Sequence, residues 1–308
     1  MSVDTQLSPS TGADGGAPTS LRTLTPNAKR REWFSRFMSV VMFIAVLSAI
    51  IPLGLLLVQV VLRGGGAFGW EFITTLEPLS FREEGGGYLA GIVGTLYMTG
   101  IAALVTIPLG LMAAIYLNEY PKGRYASIVR FFTDVMTGVP SVFVGLAVYA
   151  LLVSGSGGLG IGFGTLAGAA ALGIIMLPIV VRSAEEMLRL VPADMKAASY
   201  GLGARQWQTT LKVTLPAAAP GLATGSILAV ARGAGETAPL LMTALGARQV
   251  ITSLTGQPQG DIGLLMLDGF RQPFAPGIER AWAGGLTLIL MTLTLSIVAR
   301  VIAARRVV

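Results

Sequence analysis

Six apolar stretches follow one another along this 308-residue chain, and most are too long for the core of a soluble domain. The first, Phe37 to Leu62, carries no charged residue and exceeds the roughly 20 residues that cross the hydrocarbon core of a bilayer. Because backbone polar groups inside lipid must be satisfied within the segment, runs of this length predict transmembrane helices. We therefore predict an all-α integral membrane protein with six spans. The predicted spans are residues 37–62, 88–117, 131–153, 165–181, 217–245 and 281–299.

Composition agrees with a membrane protein and argues against most enzyme mechanisms. The chain is 53% hydrophobic and 12% charged, whereas soluble domains carry about 25% charged residues. It has no Cys and no His, so disulfides, thiolate metal sites and the commonest acid–base group are all absent. We predict no catalytic residues and no metal site, and an integral membrane enzyme or scaffold is the least favoured class.

The distribution of basic residues predicts how the chain is oriented. With the predicted spans alternating across the bilayer, sixteen Lys and Arg residues fall on one side, and five fall on the other beside seven acids. The positive-inside rule then places both termini and the polar segment 182–216 in the cytoplasm of a cell-membrane protein. The net charge of +6 is explained by these loops and not by nucleic acid, since no basic helix is interleaved with aromatic residues.

Two domains are predicted along the chain. Residues 1–28 are rich in Ser, Thr, Gly and Pro, which predicts a disordered cytoplasmic tail. Residues 29–308 form the six-span domain. In it, Pro108 is expected to bend the second span, and Pro140 is placed inside the third. We interpret Asp134 as a helix cap near the cytoplasmic start of that span.

Charged residues inside the predicted fifth span mark a candidate pathway. An Arg or Glu near the bilayer centre costs about 2.5 to 3.5 kcal/mol, so both Arg232 and Glu236 need partners. Their i, i+4 spacing lets them pair, and the nearby Gly and Pro residues weaken the helix as a cavity-lining segment would. One interpretation is an ion pair that locks helices together. In the other, Arg232 binds a passing oxyanion, and Glu236 holds the Arg232 guanidinium in place or releases it as the anion passes.

The polar segment from Val191 to Pro216 predicts two short helices. Pro192 suits the first turn of a helix over residues 193–200, which Gly201 and Gly203 end. A second helix is predicted over residues 205–213. An ordinary cytoplasmic connector would have the same local structure.

This segment resembles the coupling loop of importer permeases of the ATP-binding-cassette class. The family pattern is Glu-Ala-Ala, three residues, Gly, nine residues and Ile-x-Leu-Pro; here Ala197 stands where the family has Glu. The resemblance implies a MetI-like permease fold and a helix pair that docks into a groove on a separate ATPase. The coupling residues it implies are Ala197, Ala198, Gly203, Val213, Leu215 and Pro216.

A second resemblance concerns the run from Arg232 to Leu240, which is similar to the fifth-span signature of A-type permease subunits of Pst-type phosphate importers. The runs Thr137–Ser141 and Gly94–Leu96 resemble the same family. The resemblance implies inorganic phosphate as the substrate. It assigns Arg232, Glu236 and, less firmly, Thr237 to the substrate pathway.

The partners implied by this resemblance are a distinct homologous permease, an ATPase dimer and an external phosphate-binding protein, in addition to the lipid bilayer. The sequence contains no Gly-x-x-x-x-Gly-Lys-Ser/Thr motif, so we expect no cofactor in this chain and ATP bound by a partner subunit. Two transport alternatives stay open: a permease for another oxyanion or small solute, and an ion-coupled secondary carrier. Asp261, Asp268 and Glu279 in the last external loop are interpreted as a solvated loop, or as residues that meet the external binding protein.

Overall fold

The computed structural model describes residues 26–305, with side chains from residue 30 to residue 301. The predicted disordered tail, residues 1–28, lies outside this range except for its last three residues, which are helical. Within the described range the chain forms helices and loops, with no β-strand. The helices are α1 Pro26–Gly64, α2 Trp70–Thr74, α3 Leu89–Glu119, α4 Arg124–Gly138, α5 Ser141–Val148, α6 Thr165–Arg189, α7 Ala193–Gly201, α8 Gln206–Thr209, α9 Leu215–Ala234, α10 Leu240–Thr243, α11 Ile262–Arg271 and α12 Ala275–Arg305.

Five helical segments of the described range are long and apolar enough to cross a membrane, and a bent pair makes a sixth. The five lie in α1, α3, α6, the helix from Gln206 to Ala234, and α12. The sixth consists of α4 and α5 with the π-helical turn Tyr149–Val153, bent by 107° at its break. The predicted all-α, six-span architecture is confirmed.

The described residues up to Leu57 and those from Val58 onward form two separate units. In the first unit α1 exposes its apolar side chains along its length, from Phe37 to Leu57. An apolar helix with no protein cover needs lipid or another subunit around it.

The core of the second unit lies between α3, α6 and α9. Met98 of α3, Leu172 and Met176 of α6 and Ala229 of α9 are fully buried there. The helices approach closely because small residues face large ones, as where Gly233 of α9 lies against Met176. Close packing of small residues replaces the hydrophobic drive that is absent between helices in lipid.

The fourth span is longer than predicted. We predicted its end at residue 181, with Pro178 as the terminator, but α6 continues through Pro178 to Arg189. The continuation carries Glu185, which is buried and pairs with Arg130 of α4 and Arg189 of α6. These partners compensate a carboxylate that the sequence pattern alone would exclude from a buried helix.

The fifth span both begins and ends earlier in the sequence than predicted. It was predicted to continue to Leu245, but α9 ends at Ala234 and a turn leads to Pro239, which precedes the short α10. The C-cap residue is Gly235, and glycine, which has low helix propensity and is common just after helix ends, favours the break here. At the near end, α8 continues without interruption into α9 through the π-helical turn Thr210–Thr214. The wide turn lies just before Pro216, whose ring and missing N–H would disturb a regular helix there.

Asp261 is buried, so its interpretation as part of a solvated loop is wrong. Its carboxylate accepts from the Thr95 hydroxyl at 2.7 Å and caps α11 by accepting from the Leu264 N–H at 3.1 Å. Gly94 of α3 allows this contact, since any side chain there would collide with the Gly260 backbone. The Gly94–Thr95 pair therefore anchors the segment before α11 onto α3.

We predict that Asp261 makes stability depend on pH. Burial raises the pKa of its carboxyl to about 6 from 3.8, against the opposing hydrogen bonds from Thr95 and backbone N–H groups. A raised folded-state pKa gives stability that is present below the unfolded value and lost as pH rises through about 6. The expected loss between pH 4 and pH 7 is at most about 3 kcal/mol.

The Asp261 contribution is measured by comparing melting temperatures in detergent at acidic and neutral pH for wild type and Asp261→Asn. The variant should lack this part of the pH dependence, and Asp268→Asn, altered on the same helix, should retain it. Parallel pH profiles for wild type and Asp261→Asn would contradict the assignment.

Candidate functional site

The third span is sharply bent at the run from Thr137 to Ser141. Helix α4 ends at Gly138, Val139 is extended, and Pro140 stands at the N-cap of α5. We predicted Pro140 inside one continuous span; instead it starts a new helix, because Pro cannot supply the N–H that continuation requires.

The bend opens a cavity of about 860 Å³ between α4, α5, α6 and α9. Its walls are largely apolar, and Thr137, Ser141 and Arg232 supply polar side chains. Pro178 leaves the Ile174 carbonyl without a helical N–H donor, and both residues line the cavity. The full lining is Met136, Thr137, Gly138, Val139, Pro140, Ser141, Val144, Ile174, Ile175, Pro178, Ile179, Leu228 and Arg232.

Arg232 contributes the guanidinium in the lining of this cavity. It lies in the last turn of α9, where a helix C-terminus favours a cation. Its side chain is 62% exposed, and its Nη2 atom lies 3.2 Å from Oε1 of Glu236, whose side chain is 15% exposed. The predicted pairing is present, although Glu236 lies in the turn after the helix and not on its face. Because the guanidinium is exposed and its partner is largely buried, the N–H groups of Arg232 can also donate to a second anion.

Thr237 lies apart from the cavity. Its hydroxyl packs against Gly263 of α11, and its carbonyl accepts from the Leu240 N–H at 3.1 Å. The structure therefore brings Arg232 and Glu236 together with the bend and gives Thr237 a position in the packing of α10 and α11. The pathway role assigned to it stays a prediction.

An ion pair next to the cavity was not predicted. Asp134 pairs with Arg182 of α6, and both side chains are about half exposed. Asp134 lies in the second half of α4, far from its N-terminus, so its interpretation as a helix cap is wrong. Met136 of α4 and Pro178 of α6, which line the cavity, lie within about a turn of this pair. Arg182 is the residue in the sequence that could have indicated this ion pair. The predicted fourth span ended at residue 181 and so left Arg182 in a loop.

The segment predicted to couple to a partner forms an exposed surface. Helix α7 ends in a Schellman motif: the Gly203 N–H donates to Tyr200 O at 2.9 Å and the Ala204 N–H to Ser199 O at 3.2 Å. Ala197 and Ala198 are exposed on α7. The large apolar residues around them are also exposed: Met195, Tyr200, Leu202, Trp207 and Leu211. We call this surface, residues 193–211, the docking surface.

Val213, Leu215 and Pro216 connect the docking surface to the bundle. Leu215 packs against the buried cluster that contains Leu188 and Leu222, and Pro216 is exposed. The first three predicted coupling residues, Ala197, Ala198 and Gly203, thus lie on the docking surface, and the last three lie where its second helix enters the membrane span.

Gly203 is required by its backbone conformation. Its φ of +83° lies in the left-handed region, and a Cβ there would meet nothing within 4 Å. We expect Gly203→Ala to destabilise the end of α7 by about 1 kcal/mol through backbone strain alone. Hydrogen exchange of residues 193–205 should then rise about fivefold. Gly201→Ala, in the helix with open space around it, should not raise it, and equal exchange in both variants would contradict the assignment.

A buried carboxylate connects the bundle at the end that carries the docking surface. Glu185 accepts from Nε of Arg130 at 2.9 Å, and the same arginine donates to the carbonyls of Leu117 and Pro121. Gln206 of α8 donates to Glu119 at 2.9 Å. Helices α3, α4, α6 and α8 are therefore held together where the docking surface begins.

Comparisons with known proteins agree with these features. Residues 106–308 match the family described as binding-protein-dependent transport system inner membrane component. The phosphate transport system permease protein PstA 1 of Mycobacterium tuberculosis is 36% identical over 97% of this chain and 100% of its own length. The PstA protein of Haemophilus influenzae is 35% identical over 88% of this chain and 94% of its own.

Solved structures share the fold at low identity. The MetNI methionine ABC transporter superposes with a TM-score of 0.59 at 19% identity over 72% of this chain and 96% of that chain. A bacterial alginate ABC transporter, solved with an alginate-bound periplasmic protein, superposes with a TM-score of 0.61 at 16% identity over 90% and 96%. The predicted MetI-like fold is confirmed.

Proposed function

The chain belongs to the binding-protein-dependent transport system inner membrane component family, and from that premise we propose that it is the permease subunit of an ATP-driven importer of inorganic phosphate. The observation that carries the substrate is Arg232 at the cavity beside the bend. The PstA proteins of M. tuberculosis and H. influenzae, named as phosphate transport permeases, support the same substrate.

The chemistry of the cavity suits a small oxyanion. A guanidinium presents a planar fork of N–H donors, which matches two oxygens of a tetrahedral anion. Glu236 balances Arg232 while the cavity is empty, and the arriving anion takes its place against the guanidinium. The return of the carboxylate then weakens the hold on the anion. This competition keeps affinity low enough for release.

The docking surface receives the driving force. The excess of basic residues supports a cytoplasmic position for it. There its exposed apolar residues and the small Ala197 and Ala198 fit a groove on an ATPase subunit. Closure of an ATPase dimer moves α7 and α8. The contacts of Glu185 and Gln206 pass this movement to α3, α4 and α6, whose bend and walls shape the cavity.

The complete importer contains a second, homologous permease, two ATPase subunits and an external binding protein that delivers phosphate. The permease makes and breaks no covalent bond, and ATP is bound by the partner subunits. Both termini of this chain lie in the cytoplasm.

The test is uptake of radiolabelled phosphate by proteoliposomes that contain the complete complex with the binding protein on the receiving side. We expect uptake that requires ATP and is not reduced by excess sulfate. Phosphate uptake by the purified chain alone under an ion gradient would replace the proposal with a secondary carrier. Inhibition by sulfate at equal concentration would replace the substrate with a wider class of oxyanions.

A further inference from the structure

The cavity that contains Arg232 also presents hydrogen-bond acceptors, which a fully deprotonated anion cannot use. Thr137 of α4 and Ile174 of α6 line this cavity together with Arg232 of α9. The guanidinium of Arg232 can only donate hydrogen bonds. An anion that moves through the cavity therefore meets donors from one helix and acceptors from two others.

The Thr137 hydroxyl acts as an acceptor toward the cavity. It donates its hydrogen to the carbonyl oxygen of Asp134, at 2.6 Å. A threonine hydroxyl has a single hydrogen, so only the lone pairs of Oγ1 remain for a ligand. Thr137 is exposed at the cavity wall, where these lone pairs can be reached. Ser141, the other hydroxyl of the lining, can donate or accept and does not discriminate in this way.

A backbone carbonyl is the second acceptor. Pro178 lies inside α6 and has no N–H, so it cannot donate the helical hydrogen bond to the Ile174 carbonyl. The ring of a helical proline lies against the carbonyl four residues before it, so the Pro178 ring and this carbonyl share one side of α6. Both residues line the cavity. The Ile174 carbonyl is therefore available to a donor there.

Phosphate and sulfate differ in the group that such acceptors recognise. The phosphate dianion has the same charge and tetrahedral shape as sulfate, so the Arg232 guanidinium attracts both. At neutral pH phosphate keeps an O–H group, whereas sulfate keeps none. Facing an acceptor, the O–H group donates a hydrogen bond, but a sulfate oxygen only brings another lone pair. A site that hydrogen-bonds a substrate O–H rejects an analogue without it, because the polar groups of the site are left unpaired.

We propose that the acceptors of Thr137 and Ile174 make the permease selective for oxyanions that carry a proton, and thus for phosphate over sulfate. Arg232 attracts the anion, and the two acceptors bind only an anion with an O–H group. Arsenate also keeps an O–H group at neutral pH, so it should bind like phosphate. The inference rests on the proposed function and adds selection by the permease to any selection by an external binding protein.

The test is phosphorus NMR of inorganic phosphate with the purified complex of permease and ATPase subunits in maltoside micelles. The binding protein is omitted, so that it cannot select the anion. Wild type should broaden the phosphate signal, and the part of the broadening that Arg232→Ala removes is the signal of the cavity. Arsenate should displace phosphate from the cavity about tenfold more effectively than sulfate, because sulfate leaves the acceptors unpaired.

Thr137→Val keeps the shape of the side chain and removes its acceptor. It should lower the affinity for phosphate about fivefold, as expected for one lost hydrogen bond, and should bring the ratio of arsenate to sulfate displacement down to about two. Thr137→Ser restores the hydroxyl and should recover the ratio. The matched control is Thr133→Val on the same helix, since the Thr133 hydroxyl donates to Val129 O at 2.8 Å and does not line the cavity. It should keep the wild-type ratio.

Pro178→Ala supplies an N–H to the Ile174 carbonyl and should also lower the ratio. Pro108→Ala, which changes a proline inside α3 away from the cavity lining, should not. Equal displacement by arsenate and sulfate in wild type, or an unchanged ratio in Thr137→Val, would overturn the inference and leave the proposed function standing. Broadening that is the same in Arg232→Ala as in wild type would instead contradict the proposed site, and the inference with it.

Discussion

Replacing Arg232 with Ala is expected to reduce ATP-driven phosphate uptake by about 10- to 150-fold. Loss of hydrogen bonds to a charged group amounts to about 1.5 to 3 kcal/mol, and each 1.4 kcal/mol is a factor of ten. Arg232→Lys should give an intermediate rate, because it keeps the charge and loses the fork of donors. The measurement is the initial rate of uptake of radiolabelled phosphate by proteoliposomes that contain the complete complex.

The control for this experiment is Arg300→Ala, since Arg300 is exposed on α12 and does not line the cavity. Its uptake should equal that of wild type. The Arg232 side chain is 62% exposed, so the melting temperature of Arg232→Ala should change little. Uptake at the wild-type rate in Arg232→Ala would exclude the proposed role. A large loss of stability with uptake restored by Lys would instead identify the pair with Glu236 as a lock between segments.

The largest expected effect on stability concerns Glu77. This buried carboxylate serves two arginines, with Oε2 3.1 Å from Nε of Arg248 and Oε1 4.0 Å from Nε of Arg280. Burial raises the pKa of the Glu77 carboxyl against the opposing effect of the two arginines. Glu77→Ala leaves a buried guanidinium uncompensated, which typically destabilises by about 3 to 5 kcal/mol. For a chain of this size the melting temperature should fall by about 10 °C.

The melting temperature of Glu77→Ala in detergent is compared with that of Glu83→Ala, which removes an exposed carboxylate from the same loop. The control should lie within about 2 °C of wild type, since exposed substitutions rarely exceed 0.5 kcal/mol. A double variant, Glu77→Leu with Arg280→Met, should recover much of the loss, because an apolar pair can replace a buried ion pair. A Glu77→Ala variant as stable as the control would show that the two arginines need no carboxylate.

Features set by neighbouring residues could be predicted from the sequence. Gly203 ends α7 because only a residue that tolerates positive φ fits there. The Arg232–Glu236 pair joins residues only four positions apart, although the helix ends between them. The six spans follow from apolar runs long enough to cross lipid. Each of these signals lies within a few consecutive residues, so no knowledge of the remaining chain was needed.

Features that depend on distant residues could not be predicted. Arg130 and Glu185 are 55 positions apart, and their ion pair compensates a buried carboxylate in the part of α6 beyond residue 181. The interpretation of Asp134 failed for the same reason, since its partner Arg182 belongs to another helix. Asp261 was interpreted as a solvated loop residue because nothing near it in the sequence indicates Thr95 of α3, which donates its hydrogen bond. A single sequence carries no local trace of such partners.

The continuous helix from Gln206 to Ala234 begins at the docking surface and ends beside Arg232. Its 29 residues extend about 43 Å, and no loop interrupts them. Under the proposed function, a push on Trp207 reaches the guanidinium as a tilt or rotation of this helix, which can bend at the π-helical turn Thr210–Thr214 and at Pro216. The timing of anion release would then follow the movement of the ATPase and not local fluctuations around the cavity.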